Sequence, residues 1–353
     1  MVINMNTKIV EINETDVAAL REAGQVLLQG GLVAFPTETV YGLGGDALNK
    51  ESSRKIYAAK GRPSDNPLIV HIADLKDLPP IVKEVTPEAK KIAESFWPGP
   101  LTMILPKSEK VPYETTGGLD TVAVRMPSHP VARKLIEYGG GYVAAPSANT
   151  SGKPSPTMAK YVIEDMDGRV DMILDGGEVG IGLESTIIDL TVNPPQILRP
   201  GYVTQVMLEE VLGQVDVDKT ILSNESGLAP KAPGMKYRHY APSGELTIVA
   251  GETGQVVDYI NQETAKLQES GQKVGVIGSL ETIEEYRADV VKNIGSRQDE
   301  EAIAKNLYRI LREFDDEKVE VIFSESFSGT GMGQAIMNRL LKAAGHKVIQ
   351  LED

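Results

Sequence analysis

From Thr7 to Leu351 the chain alternates short, β-branched apolar runs with longer stretches of helical character, punctuated by glycine and proline. That alternation restricts the fold to the α/β class, because each element must bury one face against an element of the other kind. Thr7–Ile12, Leu32–Phe35, Leu68–Ile72, Leu101–Leu105, Val122–Val124, Tyr142–Ala145, Met172–Leu174 and Ser185–Leu190 read as strands. Helices are predicted from Asn13 or Thr15 to about Gln29, over Lys50–Ala59 behind an Asn49 cap, and over Pro87–Ser95. Many strands with interspersed helices and Pro/Gly-rich loops imply one mixed-sheet domain over residues 1–212.

Beyond it the pattern changes. Residues 213–244 hold Ser223-Asn-Glu-Ser-Gly-Leu-Ala-Pro-Lys-Ala-Pro-Gly234, which has no period and many turn formers, and read as an interdomain linker. Residues 245–353 return to a regular β-α repeat, with strands at Leu246–Ala250, Lys273–Ile277, Val319–Phe323 and Val348–Leu351. Helices are predicted at Val256–Glu269, Glu300–Glu313 and Gln334–Ala344. That repeat is the pattern of a small, mostly parallel, doubly wound domain. A length of 353 residues accommodates two such domains at about 150 residues each.

Composition narrows the chemistry. There is no cysteine, which removes disulfides, thiolate metal sites and cysteine nucleophiles and fits a reducing compartment. No apolar run reaches the roughly 18 residues of a membrane span, and the N-terminus lacks a signal peptide pattern, so a cytoplasmic protein is expected. The net charge of −14 is spread evenly and disfavours non-specific nucleic-acid binding. A basic site in such a chain must be local. No pair among the four histidines has metal-ligand spacing, and there is neither a Walker loop nor G-x-S-x-G.

The local basic site is Lys60-Gly61-Arg62-Pro63-Ser64-Asp65-Asn66-Pro67. Two prolines stiffen this loop, and an extended path puts Lys60 and Arg62 on one side, poised for an anion. Phe35-Pro-Thr-Glu-Thr-Val-Tyr-Gly-Leu-Gly-Gly-Asp46 reads as a glycine-rich turn whose backbone can approach a polar ligand. Ala144-Ala-Pro-Ser-Ala-Asn-Thr-Ser-Gly-Lys-Pro-Ser-Pro-Thr157 crowds hydroxyls and an amide ahead of a helix. Arg125 and Arg199 stand alone at strand ends. With Lys60 and Arg62 they could match a triphosphate and a carboxylate. The linker ends in Pro233-Gly-Met-Lys-Tyr-Arg-His-Tyr-Ala-Pro242, polar and aromatic enough to close over a site, or else to pack between domains. Gly329-Thr-Gly-Met-Gly333 opens a helix, where packing is the better reading.

Together these segments resemble the threonylcarbamoyl-AMP synthase family in its long form. The carriers are P-T-E-T-x-Y-G-L-G, K-x-R-x-x-x-x-P-L, a lone arginine, S-A-N-x-S-G, E-S-T-I, R-P-G and P-G-M-x-Y-R-H-Y-A-P, in order and over nearly the whole chain. The resemblance implies a twisted mixed-sheet catalytic domain with an open, positively charged cavity, followed by a Rossmann-like domain. It implies a nucleotidyltransferase making threonylcarbamoyl-AMP and pyrophosphate from L-threonine, bicarbonate and ATP, with Mg2+ carried on the nucleotide. Other proteins would then transfer the group to the adenosine beside the anticodon of tRNA. Lys60 and Arg62 would be catalytic. Arg62, Asn66, Thr121, Ser147, Ser155, Arg199, Tyr237 and His239 would contact ATP. Thr39, His71, Arg125, Ala145 and Ser185 would contact threonine. Two other readings stay open: an RNA-binding module, which the acidity disfavours, and a carbamoyl-transfer enzyme of hydrogenase maturation, whose zinc-binding cysteines are missing here.

Overall fold

Period-two alternation is visible wherever a strand forms. In the computed structural model, which describes residues 5–221, 232 and 239–352, Leu32 and Ala34 face one apolar cluster while Val33 and Phe35 face another. The chain divides into two compact units, Met1–Ser151 with Ser155–Lys236, and Gly152–Pro154 with Tyr237–Asp353.

The first unit runs β1 (Lys8–Glu11), α1 (Val17–Leu28), β2 (Val33–Phe35), β3 (Gly42–Asp46), α2 (Lys50–Lys60), β4 (Ile69–His71), α3 (Pro87–Phe96), β5 (Leu101–Pro106) and α4 (Tyr113–Thr116). It continues through β6 (Thr121–Arg125), α5 (Pro130–Tyr138), β7 (Val143–Ala144), α6 (Ala159–Met166), β8 (Met172–Asp175), β9 (Thr186–Asp189), β10 (Gln196–Arg199), α7 (Gln205–Leu212) and β11 (Asp216–Val217). These strands form an 11-stranded sheet in the order β1-β8-β2-β3-β7-β4-β6-β5-β9-β10-β11. Pairing is mixed: β4 lies parallel to β6, whereas β6 and β5 are antiparallel. One face carries the larger core, with Val70, Val122, Val124, Met103 and Ile188. On the other face, toward the β1 end, Val33, Phe35 and Val143 pack with Leu20 and Leu27 of α1 and Leu135 of α5.

Two features differ from the sequence expectation. Gly42–Asp46, read as part of a glycine-rich turn, is instead a buried central strand, antiparallel to both β2 and β7. Glycine weakens intrinsic strand preference, which is why the residues alone conceal it. A Cβ on Gly44 would stand 2.8 Å from Val143 Cγ1 and 2.9 Å from Phe35 Cε1, so only glycine lets these layers meet. In addition, β11 pairs parallel with β10, so the sheet continues past residue 212 into the predicted linker.

The second unit comprises β12 (Glu245–Ala250), α8 (Thr253–Glu269), β13 (Val274–Gly278), β14 (Val290–Asn293), α9 (Glu300–Asp316), β15 (Val321–Glu325), α10 (Gly331–Ala343) and β16 (Val348–Gln350). Its 5-stranded sheet has the order β14-β13-β15-β12-β16, every pairing parallel. Gly275 lets α9 press close, because a Cβ there would lie 2.6 Å from Phe314. The unit has the Rossmann-like character the resemblance implies.

Candidate active site

The face of the large sheet opposite the larger core holds a small apolar floor of Ile69, Ile104, Ala123, Ile187, Leu198 and Ala232. Strand alternation turns the polar candidates the same way: His71 is two residues from Ile69, Arg125 two from Ala123, Thr102 two from Ile104, and Ser185 two from Ile187. Register then lines them up across neighbouring strands, with His71 opposite Arg125 and Arg125 opposite Thr102. Arg199 joins them through an irregularity. The register of β10 against β9 shifts between Ile197 and Arg199, so Arg199 stands opposite Ile187.

Arg125 is the centre of one cluster. It is buried, and its Nη1 donates to Thr39 Oγ1 at 3.0 Å. Its Nη2 approaches Glu38 Oε1 at 2.6 Å, an ion pair whose angles fall outside hydrogen-bond geometry. Burial is the largest single influence and would raise the Glu38 carboxyl, but the Arg125 charge together with hydrogen bonding from Arg125 and the Glu38 and Ser128 main chain holds that carboxyl below its usual range. Thr39 is fixed in turn by Thr37, 2.9 Å between hydroxyl oxygens. His71 Nδ1 lies 3.1 Å from the Ile69 carbonyl, and the ring meets Phe35 edge-on at 6.4 Å. Complete burial, aided by Arg125, pushes the imidazole down to about 3, so His71 is neutral at physiological pH.

A second cluster begins on the neighbouring strand β5 and runs to β10. Ser185 Oγ is 2.8 Å from Thr102 Oγ1. Arg199 donates to the Ser185 carbonyl at 3.0 Å and to its hydroxyl at 3.1 Å. All three are buried.

The basic loop is more tightly engaged than an exposed K-x-R. Lys60 closes α2, with Gly61 in the left-handed region at φ 62° as the cap. The Lys60 ammonium is almost wholly buried and donates to the carbonyls of Ser147 and Asn149, while Ser151 N–H donates to the Lys60 carbonyl at 2.9 Å. Lys60 thus staples the S-A-N segment from both sides. Arg62 folds along its own loop. It donates to Asn66 Oδ1 at 2.6 Å, to the Asn66 carbonyl at 3.2 Å and to the Pro67 carbonyl at 3.1 Å.

The remaining candidates are placed as follows. Ser147 is bridged to Gly42. Ser155, fully buried, donates to Glu184 Oε1 at 2.6 Å. Ala145 has a main chain and one methyl to offer, and its N–H is taken by the Ile69 carbonyl at 2.9 Å. Thr121 is half-buried at the opposite end of β6 from Arg125. His239 is buried, with its ring 5.5 Å from that of Tyr240. Tyr237 lies outside the described residues.

The structure therefore joins Thr39, His71 and Arg125, joins Ser185 with Arg199, and couples Lys60 to Ser147 and Arg62 to Asn66. Residue reasoning missed Glu38, Thr102 and Glu184 as parts of these clusters. Glu38 and Glu184 stand inside the P-T-E-T and E-S-T-I segments, so the signal was a carboxylate embedded in a small, uncharged stretch.

Comparisons with known proteins bear on the same residues. A Sua5/YciO/YrdC family model, described as "Telomere recombination", matches residues 25–201, and one described as "Threonylcarbamoyl-AMP synthase, C-terminal domain" matches residues 203–345. The threonylcarbamoyl-AMP synthase of Pyrococcus abyssi is 51% identical over 94% of this chain and 96% of its own. That of Bacillus subtilis is 48% identical over 94% of each. Among solved structures, P. abyssi Sua5 complexed with L-threonine superposes with a TM-score of 0.91 at 48% identity, covering 98% of this chain and 99% of its own. A doubly substituted variant of P. abyssi Sua5 gives 0.93 at 49% identity, covering 98% of each.

Proposed function

The chain belongs to the threonylcarbamoyl-AMP synthase family, and from this we propose that it converts L-threonine, bicarbonate and ATP into threonylcarbamoyl-AMP and pyrophosphate. The observation that carries the threonine half is the Arg125 cluster: a buried guanidinium beside a hydroxyl and a neutral imidazole suits a small hydroxylated amino acid. The relative solved with L-threonine supports the same assignment.

In this reading the threonine amine adds to bicarbonate with loss of water, giving a carbamate. A carbamate oxygen then attacks the α-phosphorus of ATP, the bond to the bridging oxygen breaks, and pyrophosphate leaves. Such a step needs alignment and charge neutralisation more than it needs a base. Arg62 and Arg199 would supply charge to the phosphates and bicarbonate. Lys60 would do so while shaping the Ser147–Asn149 loop. Asn66, Thr121, Ser147 and Ser155, and with them Tyr237 and His239, are the residues proposed for the remaining nucleotide contacts. Ala145 and Ser185 would border threonine.

Magnesium would arrive with ATP. Of the buried carboxylates in these clusters, Glu38 faces the Arg125 guanidinium and Glu184 accepts from Ser155, so phosphate oxygens would be the ion's main ligands. The product would feed other proteins that place the threonylcarbamoyl group on tRNA. Among the described residues no helix is long and apolar enough to cross a membrane. Incubation with labelled bicarbonate, threonine and ATP tests the reading: one nucleotide product should carry label from both bicarbonate and threonine. A product lacking either label refutes it.

A further inference from the structure

Glu38 has no part in the assignments above, yet it stands against Arg125 in the same buried cluster. The two side chains are only 13% and 5% exposed. Though Arg125 Nη2 stands 2.6 Å from Glu38 Oε1, Arg125 Nε and Nη2 and both Glu38 carboxylate oxygens are buried without a well-formed hydrogen bond. The nearby main-chain amides of Glu38 and Ser128 help to stabilise the carboxylate without satisfying it. A charge pair withdrawn from water is costly unless its remaining lone pairs and N–H groups are also met. As it stands, then, the pair is incomplete on both members.

The ligand that would complete it is constrained. A simple anion would satisfy Arg125 and be repelled by Glu38, and a simple cation would do the reverse. An α-amino acid carries both charges on one carbon and answers both at once. We propose that Glu38 receives the α-ammonium group of the amino-acid substrate while Arg125 receives its carboxylate, so that the buried pair selects an amino acid over a carboxylic acid. This rests on the assignment of the Arg125 cluster to threonine. Glu38 is suited to recognition rather than proton abstraction, because a carboxylate held below its usual pKa range is a weak base. Thr39 and neutral His71 add no charge, so discrimination by charge falls to the pair.

The test compares L-threonine with 3-hydroxybutanoate, which is threonine without its amine, binding to the full-length protein with and without ATP. Wild type should bind threonine roughly tenfold or more tightly, the scale of a lost charged hydrogen bond. In Glu38→Gln, threonine affinity should fall by a similar factor and 3-hydroxybutanoate affinity should hold, so that the preference collapses. Equal weakening of both ligands, the mark of a merely structural counterion, overturns the proposal, as does an unchanged preference. Should Glu38→Gln not fold, wild type alone suffices: equal affinity for the two ligands overturns it. Wild type that binds no threonine at all takes down the substrate assignment with it.

Discussion

The ammonium of Lys60 is bonded to the main-chain carbonyl of Asn149, 89 residues further along the chain. A residue that looks in the sequence like a free phosphate-binding cation is thus also a structural staple. Removing it takes a donor from the carbonyls of Ser147 and Asn149, at roughly 1–3 kcal/mol for a buried group left unsatisfied. Lys60→Met, which keeps the apolar stem, is expected to lower the melting temperature by several degrees and to abolish most synthase activity. A variant with unchanged melting would show that the staple is dispensable.

Arg62 bonds from one planar group to Asn66 Oδ1 and to the carbonyls of Asn66 and Pro67. Lysine cannot reproduce that fork. Arg62→Lys should raise the KM for ATP about tenfold or more while the KM for threonine changes little. Equal changes in both would place Arg62 outside the nucleotide subsite.

The close approach at Gly44 gives a prediction about folding. Gly44→Ala places a methyl against Val143 and Phe35 and should cost about 1–3 kcal/mol by overpacking. Adding Val143→Ala should recover part of that loss, since it clears the nearer of the two contacts. Denaturant unfolding of the single and double variants reads both effects, and an unaltered midpoint in Gly44→Ala would contradict them.

This strand also marks where the sequence stops being readable. Apolar β-branched runs disclosed their strands within a residue or two: Leu101–Leu105 is β5, Val122–Val124 lies within β6, and the helix expected over Lys50–Ala59 is α2. Gly42–Asp46 escaped because its reason for being a strand lies in Phe35 and Val143, which only the fold brings near. Arg125 and Arg199 were legible as isolated charges at strand ends. Glu38, Thr102 and Glu184 were not, because contacts such as Arg125–Thr39 span 86 residues and depend on sheet order.

Burial makes His71 a source of acid sensitivity. Its folded value of about 3 lies below the roughly 6.5 of an unfolded histidine, so the unfolded chain binds the extra proton first. Its contribution to stability is complete above about pH 6.5 and is lost as pH falls toward 3, by up to about 1.4 kcal/mol per unit. His129 and His346 shift the same way, and the His71 share is the difference between wild type and His71→Asn. Between pH 6.5 and 4.5 the variant should lose stability less steeply than wild type. Parallel curves would contradict a neutral, buried His71.

The most direct measurement is pyrophosphate release from ATP with L-threonine and bicarbonate each withheld in turn. Release should require both, and serine, which lacks the methyl, should support it less well. Turnover of ATP that is insensitive to threonine would contradict the account at its centre.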